Sequence, residues 1–216
     1  MNVMAIGAHP DDIEFGCSGT LIKHKERGDK VVYVCMTNTE SKSGTSGEVL
    51  RSVEQLASEV KCATELIGCD YVEFAGFTDL QIPFNFESVS ILDGMMQTYK
   101  IDTVYTHWAG DSNQDHIATF KATMAAARYV PNVFCYEQIP IPRHTENEMH
   151  VNYYNDITDY MDSKLEVAKC HISQIEKYKK AGFDVPRRLE VLAEYRGIQA
   201  NCKYAEGFNV IKNVEK

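Results

Sequence analysis

Two stretches of this chain place imidazoles beside carboxylates. In AIGAHPDDIEFGCSGTL, residues 5–21, four small or apolar residues lead into His9, Pro10 and the consecutive Asp11 and Asp12. Adjacent carboxylates repel one another unless something positive holds them. In YTHWAGDSNQDHIATF, residues 105–120, His116 follows Asp115 in a second acid-rich run. His9 and Asp12 lie three apart across a proline bend, so both can turn toward one point. Two imidazoles and one carboxylate match a catalytic zinc site with three protein ligands and an open fourth position. A bound dication also explains the paired aspartates, because its charge offsets their repulsion and keeps both ionised. A lone HxxD run is more often a turn with an aspartate capping the next helix. The second histidine segment is what favours a metal.

For the two segments to meet, each must leave the same edge of one sheet. Apolar runs rich in Val, Ile, Tyr and Cys occur at NVMAIGA, KVVYVCMT, YVEFAG, DTVYTH and NVFCYEQ, mostly separated by stretches of helical spacing, with YAEGFNVI as a last short strand. The alternation predicts an α/β, Rossmann-like three-layer fold, its mostly parallel sheet flanked by helices, in one domain over residues 1–216. Leu50, Val53, Leu56, Val60, Ala63 and Ile67 predict a helix over 47–67 closed by Gly68. Ile117, Phe120, Met124 and Ala127 predict another over 114–127, with Ser112 or Asn113 as its N-cap. The series Met161, Leu165, Ala168, Ile172 and Ile175 predicts one long helix over 159–180, and VPRRLEVLAEYRG a further one. NTESKSGTSG, residues 38–47, is long for a βα connection and well placed either to cover a ligand at the strand ends or simply to be solvated.

Composition narrows the classes. The 216 residues carry a formal net charge of -9 with no basic stripe, which argues against nucleic acid. Apolar residues make up 44%, and no run approaches the roughly 20 that a bilayer needs, so no membrane partner is expected. The N-terminal stretch lacks a basic and long apolar signal, which predicts a cytoplasmic protein. Seven cysteines, an odd number without a CxxC pair, are expected to be reduced and structural.

The same residues carry a resemblance. AHPDDIEFGCSGTL together with THWAGDSNQDHIAT resembles the zinc-dependent LmbE/PIG-L family of N-deacetylases, whose first motif is AHPDDE-like and whose second ends in DH. RSVEQLASEVKCATELIG, YYNDITDYMDSKLEVAKCHISQ and YRGIQANCKYAEGF are similar to later family elements, so the likeness runs through most of the chain. It implies that His9, Asp12 and His116 are the zinc ligands, that Asp11 is the general base, and that the substrate is a small N-acetylated amino sugar or sugar conjugate. Water held by zinc ionises near pH 7, and a carboxylate beside the ligands is in reach of its proton. Three residues before the last ligand, many relatives have a histidine thought to stabilise the oxyanion; here Asn113 stands there. Asparagine donates a hydrogen bond without a full charge, and losing one oxyanion donor typically raises the barrier by about 2.7 to 4 kcal/mol. Asn113 can equally cap the following helix.

Around this set, Asp115 either orients an imidazole or favours the helix dipole, Glu14 either belongs to the site or caps, and His107 either lines the cleft or is a buried core histidine. Arg51, Arg143 and Tyr204 are the candidates for substrate binding, the arginines through their planar donor forks. His24, His144, His150 and His171 fit no ligand spacing and are expected at the surface or in the core. Two other classes stay open: a metal-dependent amidase or phosphoesterase, and a nucleotide-binding module, although the GxGxxG turn of the latter is missing after the first strand. Assembly into a homo-oligomer is also left open.

Overall fold

A computed structural model describes residues 1–42, 47–139 and 149–215. In chain order the elements are β1 (Asn2–Gly7), α1 (Asp12–Glu26), β2 (Lys30–Thr37), β3 (Ser41–Lys42), β4 (Val49–Arg51), α2 (Val53–Ile67), β5 (Tyr71–Phe77), α3 (Phe86–Thr98), β6 (Thr103–Thr106), α4 (Gln114–Ala126), β7 (Asn132–Tyr136), β8 (Tyr153–Asp156), α5 (Met161–Lys169), α6 (Ile172–Lys180), α7 (Val185–Ala200) and β9 (Ala205–Lys212). Seven strands form one sheet in the order β5-β2-β1-β6-β7-β9-β8, parallel from β5 to β7, while β9 runs antiparallel to both neighbours. This is the expected three-layer α/β architecture.

The β1 and β2 side chains alternate between two apolar layers, as strands buried on both faces must. Val3, Ala5, Val31 and Tyr33 pack on one side with Leu21, Leu56, Val60, Ala63 and Val167 from α1, α2 and α5. Met4, Ile6, Val32 and Val34 pack on the other with Leu92, Met96, Ala122 and Ala126 from α3 and α4. The chain winds outward from β1 through β2 to β5 and returns to β6 on the other side of β1. The order therefore reverses between β1 and β6, the place where such sheets bind ligands.

Local chemistry sets the boundaries. Ser52 accepts a hydrogen bond from the Gln55 amide and starts α2, and Gly68, in the left-handed region at φ 80°, ends it. The helix expected from residue 47 thus begins six residues later, because Val49–Arg51 pairs with Ser41–Lys42 as a small hairpin. Asn113 caps α4, as anticipated. The single long helix expected over 159–180 is broken: α5 ends at Lys169, and His171, at φ -85° and ψ 61°, leaves the helical region before α6 begins. Cys170 is covalently bound there to Cys62 on α2, with Cα atoms 5.8 Å apart. The expectation of seven reduced cysteines is corrected at this point: α5 packs on α2 and brings two thiols from distant parts of the chain into bonding distance, which spacing in sequence could not reveal. Cys17, Cys35, Cys69, Cys135 and Cys202 are free.

The C-terminal strand is tied to the first motif by a buried ion pair. Lys164 Nζ lies 2.6 Å from Glu206 Oε1 and also donates to the Phe15 carbonyl, and Glu206 accepts from the Gly19 and Thr20 amides. These bonds hold α1 where its backbone departs from helical geometry at Cys17. Gly16 permits the same close approach: a Cβ there would lie 2.4 Å from the Tyr136 ring.

Candidate metal centre

β1 and β6 are neighbours in the sheet, and the segments that follow them leave its carboxyl edge together. The turn after β1 delivers His9 and Asp12, and the first turn of α4 delivers His116. His9 Nδ1 lies 3.5 Å from Asp12 Oδ2, and His116 Nε2 lies 3.3 Å from Asp12 Oδ1. One donor atom from each of the three residues falls within 4.8 Å of the others. The turn is fixed by its own backbone, since the His9 amide donates to Asp12 Oδ2 over 2.7 Å.

Further carboxylates set which ring nitrogen faces this point. His9 Nε2 lies 3.0 Å from Asp115 Oδ2 and 3.2 Å from Asp79 Oδ1, while His116 Nδ1 lies 2.7 Å from Asp111 Oδ2. An N–H donated outward to these acids leaves Nδ1 of His9 and Nε2 of His116 as the free lone pairs beside Asp12. Asp115 is itself anchored by the Leu80 and Ile82 amides. Burial alone would lower the pKa of His9, but Asp115, Asp12 and Asp79 raise it well above its ordinary value. Burial is likewise overcome at His116, where Asp12 and Asp111 push the ring up to about 9. The donor set and the surplus of carboxylates around two imidazoles fit a divalent cation held by His9, Asp12 and His116.

Asp11 is 8% exposed, and burial together with the charge of Asp12 pushes its pKa up to about 6, against the opposing pull of Arg51, His171 and His9. Its backbone sits at φ 121°, where residues other than glycine are uncommon. The Asp11 amide donates to Glu14 Oε2 at 3.2 Å. Arg51, 4% exposed, donates from its guanidinium to the Pro10 carbonyl at 3.0 Å and lies 3.6 Å from Glu59. Glu14 and Arg51 therefore grip the HPDD turn on either side of the Pro10–Asp11 peptide.

A cavity of about 670 Å³ opens over these residues, bounded by Lys42, Trp108, Gln138, Lys177 and Arg196 among others. Asp11, Asp12, His9, His116, Asn113 and Arg51 all line it. Asn113 Oδ1 accepts from the Asp115 amide at 2.9 Å, so its capping role is real and its side-chain N–H2 remains for the cavity. Ser41 and Lys42 from the long loop reach the rim; residues 43–46 lie outside the described residues, as do Arg143 and His144. Tyr204 does not reach the cavity: it packs beside Ile157, Met161 and Ala193, and its amide and carbonyl are bound to Thr158 and Ile157. His107 is fully buried, accepts from the Ala8 amide at 2.9 Å, and is kept neutral by burial and by His116, which lower it to about 4. Sequence reasoning missed Asp79 and Asp111, and His171 is in the core as expected. The first two were signalled by position alone, as acids just past the ends of β5 and β6.

Residues 4–127 match the family described as PIG-L: GlcNAc-PI de-N-acetylase, and the chain belongs to that family. It is 33% identical over 141 residues to an uncharacterized deacetylase, YaiS, of Escherichia coli K12, covering 62% of this chain and 72% of that one. It is 25% identical to the diacetylchitobiose deacetylase of Thermococcus kodakarensis, over 98% of this chain and 84% of the relative. Its fold also superposes on the 4-carboxy-2-hydroxymuconate hydratase GalB of Pseudomonas putida KT2440, with a TM-score of 0.83 and 21% identity over 100% of this chain and 98% of that one. One fold thus serves more than one activity, and the reaction has to be argued from the site. Among the described residues no helix is long and apolar enough to cross a membrane.

Proposed function

We propose that this protein hydrolyses the acetamide of an N-acetylated amino sugar or sugar conjugate, releasing acetate and the free amine, with zinc as its metal. The observation that carries the reading is the convergence of His9, Asp12 and His116 on one point, with the buried Asp11 carboxylate beside it, in a chain of the PIG-L family. A bound divalent cation supplies Lewis-acid activation of water and of the amide carbonyl. Asp11 takes one proton from the attacking water and returns it to the departing nitrogen as the C–N bond breaks, serving first as base and then as acid. The Asn113 side-chain N–H2 supports the developing oxyanion while its Oδ1 stays on the helix cap. Arg51 lies on the cavity wall and Arg143 belongs to the segment that follows β7; their donor forks suit hydroxyl or anionic groups of the sugar conjugate.

Acetate release from a panel of N-acetylated sugars tests the reading, with metal content measured beside it. The metal-loaded protein is expected to release acetate and the chelated protein none. Asp11→Asn should keep its metal and lose about 10²- to 10⁴-fold in turnover, the range for a general acid–base group. Hydration of an unsaturated carboxylate, the activity named for GalB, or phosphate release from an ester, in either case without acetate, would overturn it.

A further inference from the structure

A buried ion-pair chain lies directly behind the HPDD turn, and of its members the proposed reaction draws only on Arg51. His171, fully buried, places Nε2 2.9 Å from Glu14 Oε1 and Nδ1 3.8 Å from Glu59 Oε2. Glu59 is further held by the Ser173 amide and hydroxyl, both at 2.8 Å. From this base two arms extend to consecutive residues of the turn. Glu14 accepts from the Asp11 amide, and Glu59 pairs with Arg51, which donates to the Pro10 carbonyl. Four side chains from α1, β4, α2 and the α5–α6 break thus converge on one peptide unit, the unit that carries the Asp11 backbone at φ 121°.

We propose that His171 is a positioning residue, the keystone that, through Glu14 and through Glu59 with Arg51, clamps the Pro10–Asp11 peptide so that His9 and Asp12 present their donor atoms together. A non-glycine residue in so sparsely populated a backbone region persists only when its surroundings over-determine it. The clamp is that surrounding. His171 stands at the interruption between α5 and α6, where its backbone leaves the helical region. The Cys62–Cys170 bond reinforces the arrangement, since Cys62 follows Glu59 on α2 and Cys170 precedes His171. Glu14, then Glu59 and Asp11, overcome the effect of burial and push the ring's pKa up to about 9. Removing the ring takes away the ion-pair partner of Glu14, while Glu59 keeps Arg51 and Ser173, and leaves the Glu14 arm of the turn free to relax.

The inference rests on the metal-centre reading but not on the identity of the substrate. It is tested by zinc affinity, measured by competition with a chromophoric chelator, beside thermal melting and turnover per bound metal. His171→Ala and the isosteric Glu14→Gln should each weaken zinc binding about 10- to 100-fold, the usual effect of removing a partner behind the ligands. His171→Gln, which keeps an N–H toward Glu14, should recover much of that affinity, and the pair Glu14→Gln/His171→Ala should lose less than the sum of its two single variants. Should the alanine variant not fold, Glu14→Gln carries the test alone. Wild-type zinc affinity in Glu14→Gln or His171→Ala, with only the melting temperature lowered, would overturn the clamp, as would a glutamine variant no better than alanine. A protein whose zinc affinity follows this pattern but which releases no acetate from any N-acetylated sugar would sink the deacetylase reading and leave the clamp standing.

Discussion

Asp115 Oδ2 lies 3.0 Å from His9 Nε2 although 106 residues separate them. The carboxylate is 1% exposed on its side chain and is pinned by the Leu80 and Ile82 amides, so it holds the ring from a rigid mount. Asp115→Asn keeps the shape and removes the charge. It also allows a side-chain amide to donate to Nε2, the wrong polarity for leaving Nδ1 free. Metal affinity is expected to fall about 10- to 100-fold. Chelator competition checks this, and unchanged affinity would show that Asp115 is not the acid that orients His9, leaving that part to Asp79 at 3.2 Å.

Asn113 separates two roles that one atom each performs. Its Oδ1 caps α4 and its N–H2 is left for the cavity. Asn113→Asp keeps the cap and removes the donor; Asn113→Ala removes both. Both variants should lose about 10²- to 10³-fold in turnover, but only alanine should lower stability, by about 1 kcal/mol. Equal turnover in Asn113→Asp and the wild type would assign the residue to capping alone.

His171 predicts a pH dependence of stability. Its pKa rises from the ordinary 6.5 to about 9 on folding. A base whose pKa is raised in the folded state contributes stability that is fully present below its unfolded pKa and fades as pH climbs through the folded one. In the metal-loaded protein, where His9 and His116 are engaged as ligands, the stability difference between wild type and His171→Gln should be largest near pH 6 and decline toward pH 9. The full shift corresponds to about 3 kcal/mol at most. Denaturant unfolding at several pH values checks the slope; a difference independent of pH would show that folding does not shift the ring's pKa, and one of opposite slope that the ring is held neutral in the native state.

The His9, Asp12 and His116 cluster was legible because the features that mark it are local. His9 and Asp12 are three residues apart at a strand end, His116 opens a helix at another, and the alternation of strands and helices puts both ends on one edge. Asn113 as a cap was legible for the same reason. The orienting acids and the clamp were not, because the pairs His9–Asp115, His171–Glu14 and Arg51–Glu59 form only after distant segments pack, and no periodicity records them. The apolar face expected over 114–127 was read in part: Ala127 is buried and Met124 packs on the core, but Phe120 is not on the buried face. Thr119, Ala122, Thr123 and Ala126 face inward rather than Phe120, since small side chains let the helix lie close enough to bring Asp115 and His116 to the site. At residues 159–180 the apolar spacing continues across a real break, because His171 and Cys170 are fixed by tertiary partners that spacing ignores.

The covalent link between α2 and α5 yields the last prediction. Cys62 and Cys170 stand 108 residues apart, and closing a loop of that size removes much of the freedom of the unfolded chain. The chain-entropy account gives about 4.7 kcal/mol for a loop of 100 residues, and native disulfides typically contribute about 2–4 kcal/mol. Alkylation of the unfolded, unreduced protein should label the five free cysteines and leave two blocked. A reductant should lower the melting temperature of the wild type and leave that of Cys62→Ala unchanged, because the variant has no bridge to lose. Since the bridge flanks Glu59 and His171, reduction should weaken zinc binding as well as stability, whereas a bridge that served stability alone would lower only the melting temperature. Seven labelled thiols in protein prepared without reductant would show that the two sulfurs stay apart in solution.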